Sequence, residues 1–270
     1  MPNPPTSRYE QIVTEQTRRF AVTVGTVSPD TIVPTCPEWD VTELAQHVGQ
    51  TQLFYTNMIN DQASSPAEFR WPEETIPGNA SAWSAWLAGT CGGLIDAVRS
   101  AGPDGPVWNP MGEQSGGVTY WLRRAFGELA AHRFDACTAA GQTYDLEPTL
   151  AADAISEFAE MVTSPTWAMN MPSAIGMRGS GQTLWWSATD VEFDAIGQTT
   201  EWLFTKKPDG ALLERHGPTG RSADVTVDGP ASALLPLLIH RTSIAEAITG
   251  GVHVSGDREM LFEWLELMKY

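Results

Sequence analysis

Up to about residue 180 apolar positions recur at helical spacing; beyond it they fall in short runs with strand character. Over residues 8–27 Ile12, Phe20 and Val24 mark one helix face, and Ser28-Pro29-Asp30 closes it. Residues 33–39 hold Pro34 and Pro37 and are expected as an ordered loop. Asp40 then stands three residues ahead of Glu43, as in a capping box, and Val41, Leu44, Val48 and Leu53 form the stripe of a second helix that carries His47 in its second turn. After a polar stretch over 61–79, Trp83, Trp86, Leu87, Leu94 and Ile95 give a third helix that stops at Gly102-Pro103. A glycine-rich loop over 109–117 leads into a fourth helix over 118–140, and a fifth runs from Pro148 to about residue 162.

Strands are expected over 183–188, 201–205, 211–215, 223–227 and 252–255, with helices over 230–241 and 258–268. Lys207-Pro208-Asp209-Gly210 is a turn joining two of these strands into a hairpin. The pattern predicts two domains: a helical bundle over residues 1–178 and a small α+β domain over 179–270.

Composition narrows the function classes. The chain has 270 residues, 42% hydrophobic and 18% charged, and no apolar run of the roughly 18 residues a spanning helix needs. With 33 acidic against 16 basic side chains the net charge is −17, a field that repels phosphate backbones and anionic lipid, so neither nucleic acid nor membrane is an expected partner. The N-terminal residues lack the cationic start and apolar core of a secretory signal, and a cytoplasmic location is expected. Cys36, Cys91 and Cys137 show no CxxC spacing, which argues against a thiolate metal site or a disulfide framework.

Glu128 and His132 lie four apart on the fourth helix, which sets a carboxylate and an imidazole on one face about a turn apart. With His47 from another helix they make a two-histidine, one-carboxylate donor set suited first to zinc and acceptable to nickel, manganese or iron, with coordination left for water or substrate. The same spacing also fits a surface contact between Glu128 and His132 and a structural role for His47. Arg133 and Asp135 are read as structural salt-bridge partners, Cys36 as a small packed hydrophobe, and His216 and His253 as structural. Trp39 is expected to pin its loop, and some of Trp71, Trp83, Trp86 and Trp108 to wall a pocket.

The stretch Pro34-Thr35-Cys36-Pro37-Glu38-Trp39-Asp40-Val41-Thr42-Glu43-Leu44-Ala45-Gln46-His47 resembles the second-helix signature of the mycothiol-dependent maleylpyruvate isomerase family, a branch of the DinB-like bundles, which implies an up-down helical bundle. Gly127-Glu128-Leu129-Ala130-Ala131-His132-Arg133-Phe134-Asp135 resembles that family's second metal motif. The resemblance implies that His47, Glu128 and His132 are metal ligands and that mycothiol, the small thiol of actinobacteria, is the cosubstrate. Residues 223–230, 234–241 and 254–257 resemble the sterol-carrier-protein-type domain of many members, in which Arg241 matches a functional arginine; His240 stands where the common pattern has glycine.

The resemblance implies an enzyme that activates a thiol on a metal. Mycothiol S-transfer to a small electrophile, in secondary metabolism or detoxification, is the leading expectation, motivated by His240 and by the unmatched stretches at 71–86 and 108–117. Isomerisation of maleylpyruvate is the alternative, and a non-catalytic binding module with a structural metal the third reading. Arg241 is the expected catalytic and cosubstrate-binding residue, with an exposed helix-end arginine as the plain alternative, and the chain is expected as a monomer or homodimer.

Overall fold

A computed structural model describes residues 6–112, 117–192, 199–216 and 222–269, apart from the Trp167 side chain. Residues 113–116 of the expected glycine-rich loop lie outside it. The chain forms two compact units, Met1–Tyr144 and Asp145–Tyr270.

The first unit is a bundle of α1 (Thr6–Val24), α2 (Val41–Asn60), α3 (Trp83–Ala101) and α4 (Gly117–Ala139). Local chemistry sets several of the helix ends. Asp40 caps α2 through the Glu43 amide while Glu43 caps back on the Asp40 amide, and Gly102 ends α3 at φ 76. Each of α1 and α2 packs against both α3 and α4, which leaves α1 diagonal to α2. Helix directions follow from side-chain pairs. Thr6 meets Thr119 at 3.0 Å and Gln16 meets Arg133 at 2.5 Å, so α1 and α4 are parallel. Gly49 lies under Trp86 and Gln52 accepts from Thr90 at 2.7 Å, so α2 and α3 are parallel as well. Glu10 pairs with Arg99 at 2.8 Å and Thr17 with Cys91, which sets α1 against α3. The bundle is therefore up-down-down-up, a sharper statement than the up-down bundle that the resemblance implies.

Two parallel neighbours need a crossover. Residues 61–82 must return the length of α2, about 30 Å for its 20 residues. Gln46 and Gln50, one turn apart on α2, hold that crossover: Gln50 Nε2 donates to the Pro72 and Glu74 carbonyls at 3.3 and 2.9 Å, its Oε1 accepts from Trp71 Nε1 at 3.2 Å, and Gln46 Oε1 accepts from the Ile76 amide at 3.4 Å. The expected loop before α2 is a small antiparallel pair, β1 (Ile32–Val33) with β2 (Cys36–Asp40).

The second unit contains α5 (Pro148–Val162), which the sequence pattern assigns to the bundle but which packs against α7 (Ala231–Leu238). Its Ser156 hydroxyl accepts from Trp202 Nε1 at 2.9 Å. After the short α6 (Pro165–Asn170) comes a mixed sheet of β3 (Thr183–Ala188), β4 (Glu201–Lys207), β5 (Gly210–His216), β6 (Val225–Gly229) and β7 (His253–Gly256), in the order β5-β4-β3-β6-β7 with β3 and β6 parallel. Lys207 pairs with Gly210, so Pro208 and Asp209 are the two turn residues of the expected hairpin. Trp186, Trp202, Phe204 and, from α9 (Arg258–Met268), Trp264 fill the core. A short α8 (Ile244–Thr249), capped reciprocally by Ser243 and Glu246, is an element the sequence pattern omits. No helix among the described residues is long and apolar enough to cross a membrane.

Candidate metal centre

His47 projects from the second turn of α2, and Glu128 and His132 from successive turns of α4. The capping box fixes where α2 starts and hence where His47 points; the four-residue spacing stacks the other two. One ligand atom from each of the three lies within 4.8 Å of the others. Glu128 Oε2 is 3.2 Å from His132 Nε2 and 3.7 Å from His47 Nε2, while Oε1 is occupied by the guanidinium of Arg124, one turn back on α4. Ligand bonds of about 2.1 Å in a tetrahedral site place donor atoms roughly 3.4 Å apart, so this donor set fits a divalent cation with little movement. Thr51 Oγ1 stands 3.5 Å from His47 Nε2.

The surroundings set the charges. Burial pushes the Glu128 carboxyl up, but Arg124 and the two imidazoles outweigh it and hold it well below the usual carboxylate range. Burial opposes protonation of His132 as well, yet hydrogen bonds to Asp135 and Glu128 raise it to about 9. A positive charge thus sits between two carboxylates in the metal-free protein.

Asp135 makes its ion pair with His132. It is fully buried, and its Oδ2 accepts from His132 Nδ1 at 2.9 Å while Oδ1 accepts from the Thr35 hydroxyl at 2.5 Å. Arg133 faces away, donating to Gln16 Oε1 and lying over the Tyr144 ring. Cys36 is half-buried with its thiol 3.8 Å from Asp135 Oδ2, so it belongs to this polar cluster. The His132-x-x-Asp135 spacing is the sequence signal that points to Asp135, and the four-residue spacing to Glu128 is the one that points to Arg124.

Aromatic rings flank His47. Trp39 lies 4.8 Å from it and Trp71, half-exposed, stacks on it at 5.8 Å and 22°. Trp83 instead is buried in the bundle with Nε1 on the Pro77 carbonyl, and Trp86 covers Gly49. Trp108 packs against Phe69. In the second unit His216 stacks on Trp185, and His253 is exposed.

Arg241 belongs to the second unit, just past α7. The His240 amide donates to the Leu237 carbonyl and the Arg241 amide to that of Pro236, a Schellman turn that requires the left-handed backbone seen at His240, φ 60. Glycine takes that conformation without strain. His240 in the place of glycine therefore fills the same backbone role, and burial lowers its imidazole's proton affinity.

Residues 11–137 match the family model described as the mycothiol maleylpyruvate isomerase N-terminal domain. The structure of a mycothiol-dependent maleylpyruvate isomerase aligns over 93% of both chains at 15% identity and a TM-score of 0.55, and a single-substitution variant of it over 93% of both at 14% and 0.54. A UbiJ-SCP2 ubiquinone synthesis protein aligns over 47% of this chain and 93% of its own at 18% identity, with a TM-score of 0.30. No curated protein matches the sequence. The two isomerase structures share this fold through both units.

Proposed function

We propose, from the premise that residues 11–137 belong to the mycothiol maleylpyruvate isomerase N-terminal domain family, that this chain is a metal-dependent, thiol-using cis–trans isomerase acting on a small electrophile of the maleylpyruvate type. The observation that carries the reading is the single carboxylate oxygen of Glu128 facing both imidazole Nε2 atoms, with its other oxygen engaged by Arg124.

A divalent cation here would be held by His47, Glu128 and His132 and would supply the Lewis acidity that lowers the pKa of a thiol toward neutral. Trp39 and Trp71 wall the His47 side. Arg241, its backbone fixed by the Schellman turn, is assigned to a carboxylate of substrate or thiol. In isomerisation the thiolate sulfur bonds to one carbon of the double bond, the remaining single bond rotates, and elimination restores the double bond and the thiol.

S-transfer uses the same thiolate and keeps the sulfur on the product. His240 is one sequence feature that favours transfer, and the backbone geometry accounts for that residue without a change of substrate. The isomerase reading therefore comes first.

The test is conversion of maleylpyruvate to fumarylpyruvate by purified protein with catalytic mycothiol. Turnover is expected to disappear on chelation and to fall at least 100-fold in His132→Ala with helical content retained, the scale of losing a group that holds the reacting partners. Thiol consumed stoichiometrically into a conjugate would replace isomerisation by transfer, and turnover unaffected by His132→Ala would remove the site from the chemistry.

A further inference from the structure

Beneath the three proposed ligands lies a charge that the thiol chemistry does not use. Asp135 is 0% exposed, one turn beyond His132 on α4, and each of its oxygens is engaged: Oδ1 by Thr35, Oδ2 by His132 Nδ1 and the Cys36 thiol. An ionised carboxylate only accepts hydrogen bonds, so Nδ1 of His132 must be its protonated nitrogen. The other nitrogen, Nε2, is then the atom 3.2 Å from Glu128 Oε2. The ring has no freedom to present the wrong nitrogen.

Enclosing a carboxylate costs several kcal/mol unless its partners compensate. Here the compensating partners come from two separated pieces of chain, α4 and the turn between β1 and β2. That turn leads through β2 into the capping box from which His47 is carried. The same carboxylate therefore ties together the segment that leads into one proposed ligand and the ring of another.

We propose that Asp135 is a positioning residue of the metal centre: it fixes the tautomer and ring plane of His132, strengthens Nε2 as a donor, and sets the β1–β2 turn against the same helix. The proposal rests on the metal reading of His47, Glu128 and His132. Carboxylates that hold a ligating histidine through its second nitrogen typically change metal affinity by 10- to 100-fold.

The experiment is titration of metal-stripped full-length protein with Co2+, read by its visible absorption, followed by displacement with Zn2+. Wild type is expected to give an intense tetrahedral-type spectrum. Asp135→Asn keeps the shape and loses the charge; it is expected to weaken Co2+ binding about 10-fold, and Asp135→Ala about 100-fold with an altered spectrum, while circular dichroism stays helical. A stabilising contact alone would shift the melting temperature and leave affinity and spectrum unchanged. Should Asp135→Ala fail to fold, the near-isosteric Asp135→Asn decides. Wild-type affinity and spectrum in a folded Asp135→Asn would overturn the proposal and leave the metal reading intact. Failure of the wild type itself to take up Co2+ or Zn2+ would overturn both.

Discussion

His132 is held between Asp135 and Glu128 with its proton affinity raised from 6.5 to about 9, so in the proposed centre a proton would compete with the metal for one nitrogen. In the metal-free protein this raised value stabilises the fold fully below about pH 6.5, and the contribution is lost as pH rises through about 9. Metal affinity at the proposed centre would run the other way. Apparent affinity is expected to rise about tenfold per pH unit between roughly 6.5 and 8.5, and uptake at pH 7 to release at least one proton per cation. Calorimetry in two buffers of different ionisation enthalpy measures that release; none would show that His132 is already neutral. Glu128 adds nothing to the count because Arg124 keeps it ionised throughout this range. At this scale the three proposed ligands are legible because a four-residue spacing and a capped helix are local facts. Asp135 is less so, since an acid near an arginine ordinarily suggests a salt bridge, and only the fold shows Arg133 turned toward Gln16.

Helices α2 and α3 meet where Gly49 lies under the Trp86 ring, and a Cβ built on Gly49 collides with that ring. Alanine at this position improves helix propensity by about 1 kcal/mol, while overpacking a filled interface costs about 1–3 kcal/mol. The collision is with rigid ring atoms, so the second effect wins. Gly49→Ala is expected to lower stability to urea by about 1–2 kcal/mol, and a raised midpoint would contradict the packing described. Removing the cap with Asp40→Ala should cost about 1 kcal/mol in the same assay, and more of metal affinity than of stability if the first turn of α2 frays around His47. The capping box at Asp40 is readable from sequence; the same motif at Ser243 and Glu246 announces α8 but precedes too short an apolar run to count as a helix pattern. The β1–β2 pair is hidden by its prolines, and helix direction, which makes α2 and α3 parallel, is a tertiary property that periodicity does not carry.

The two-unit organisation is legible from the change in apolar period near residue 180, yet the compact units divide after Tyr144. The stripe on α5 has helical spacing whichever partner it faces; the hydrogen bond from Trp202 to Ser156 and the packing against α7 are what assign it to the sheet-bearing unit. Charge is the other property of the whole chain. With 33 acidic and 16 basic side chains, 17 acids have no counterpart even if every cation were paired. Exposed pairs such as Arg18–Glu15 and Arg99–Glu10 contribute little and weaken in salt. The surplus acids repel one another in the compact state, and salt relieves that repulsion. The surplus outnumbers the exposed pairs, so screening of repulsion should dominate. Raising sodium chloride from about 10 to 300 mM shortens the screening length from about 30 to 6 Å and is expected to raise the melting temperature of the metal-free protein by about 2–5 °C. Metal-free protein is the right sample, because salt also alters the apparent affinity of a cation for the centre. A falling melting temperature over that range would mean that the ion pairs, and not the acidic surplus, dominate the electrostatics of the fold.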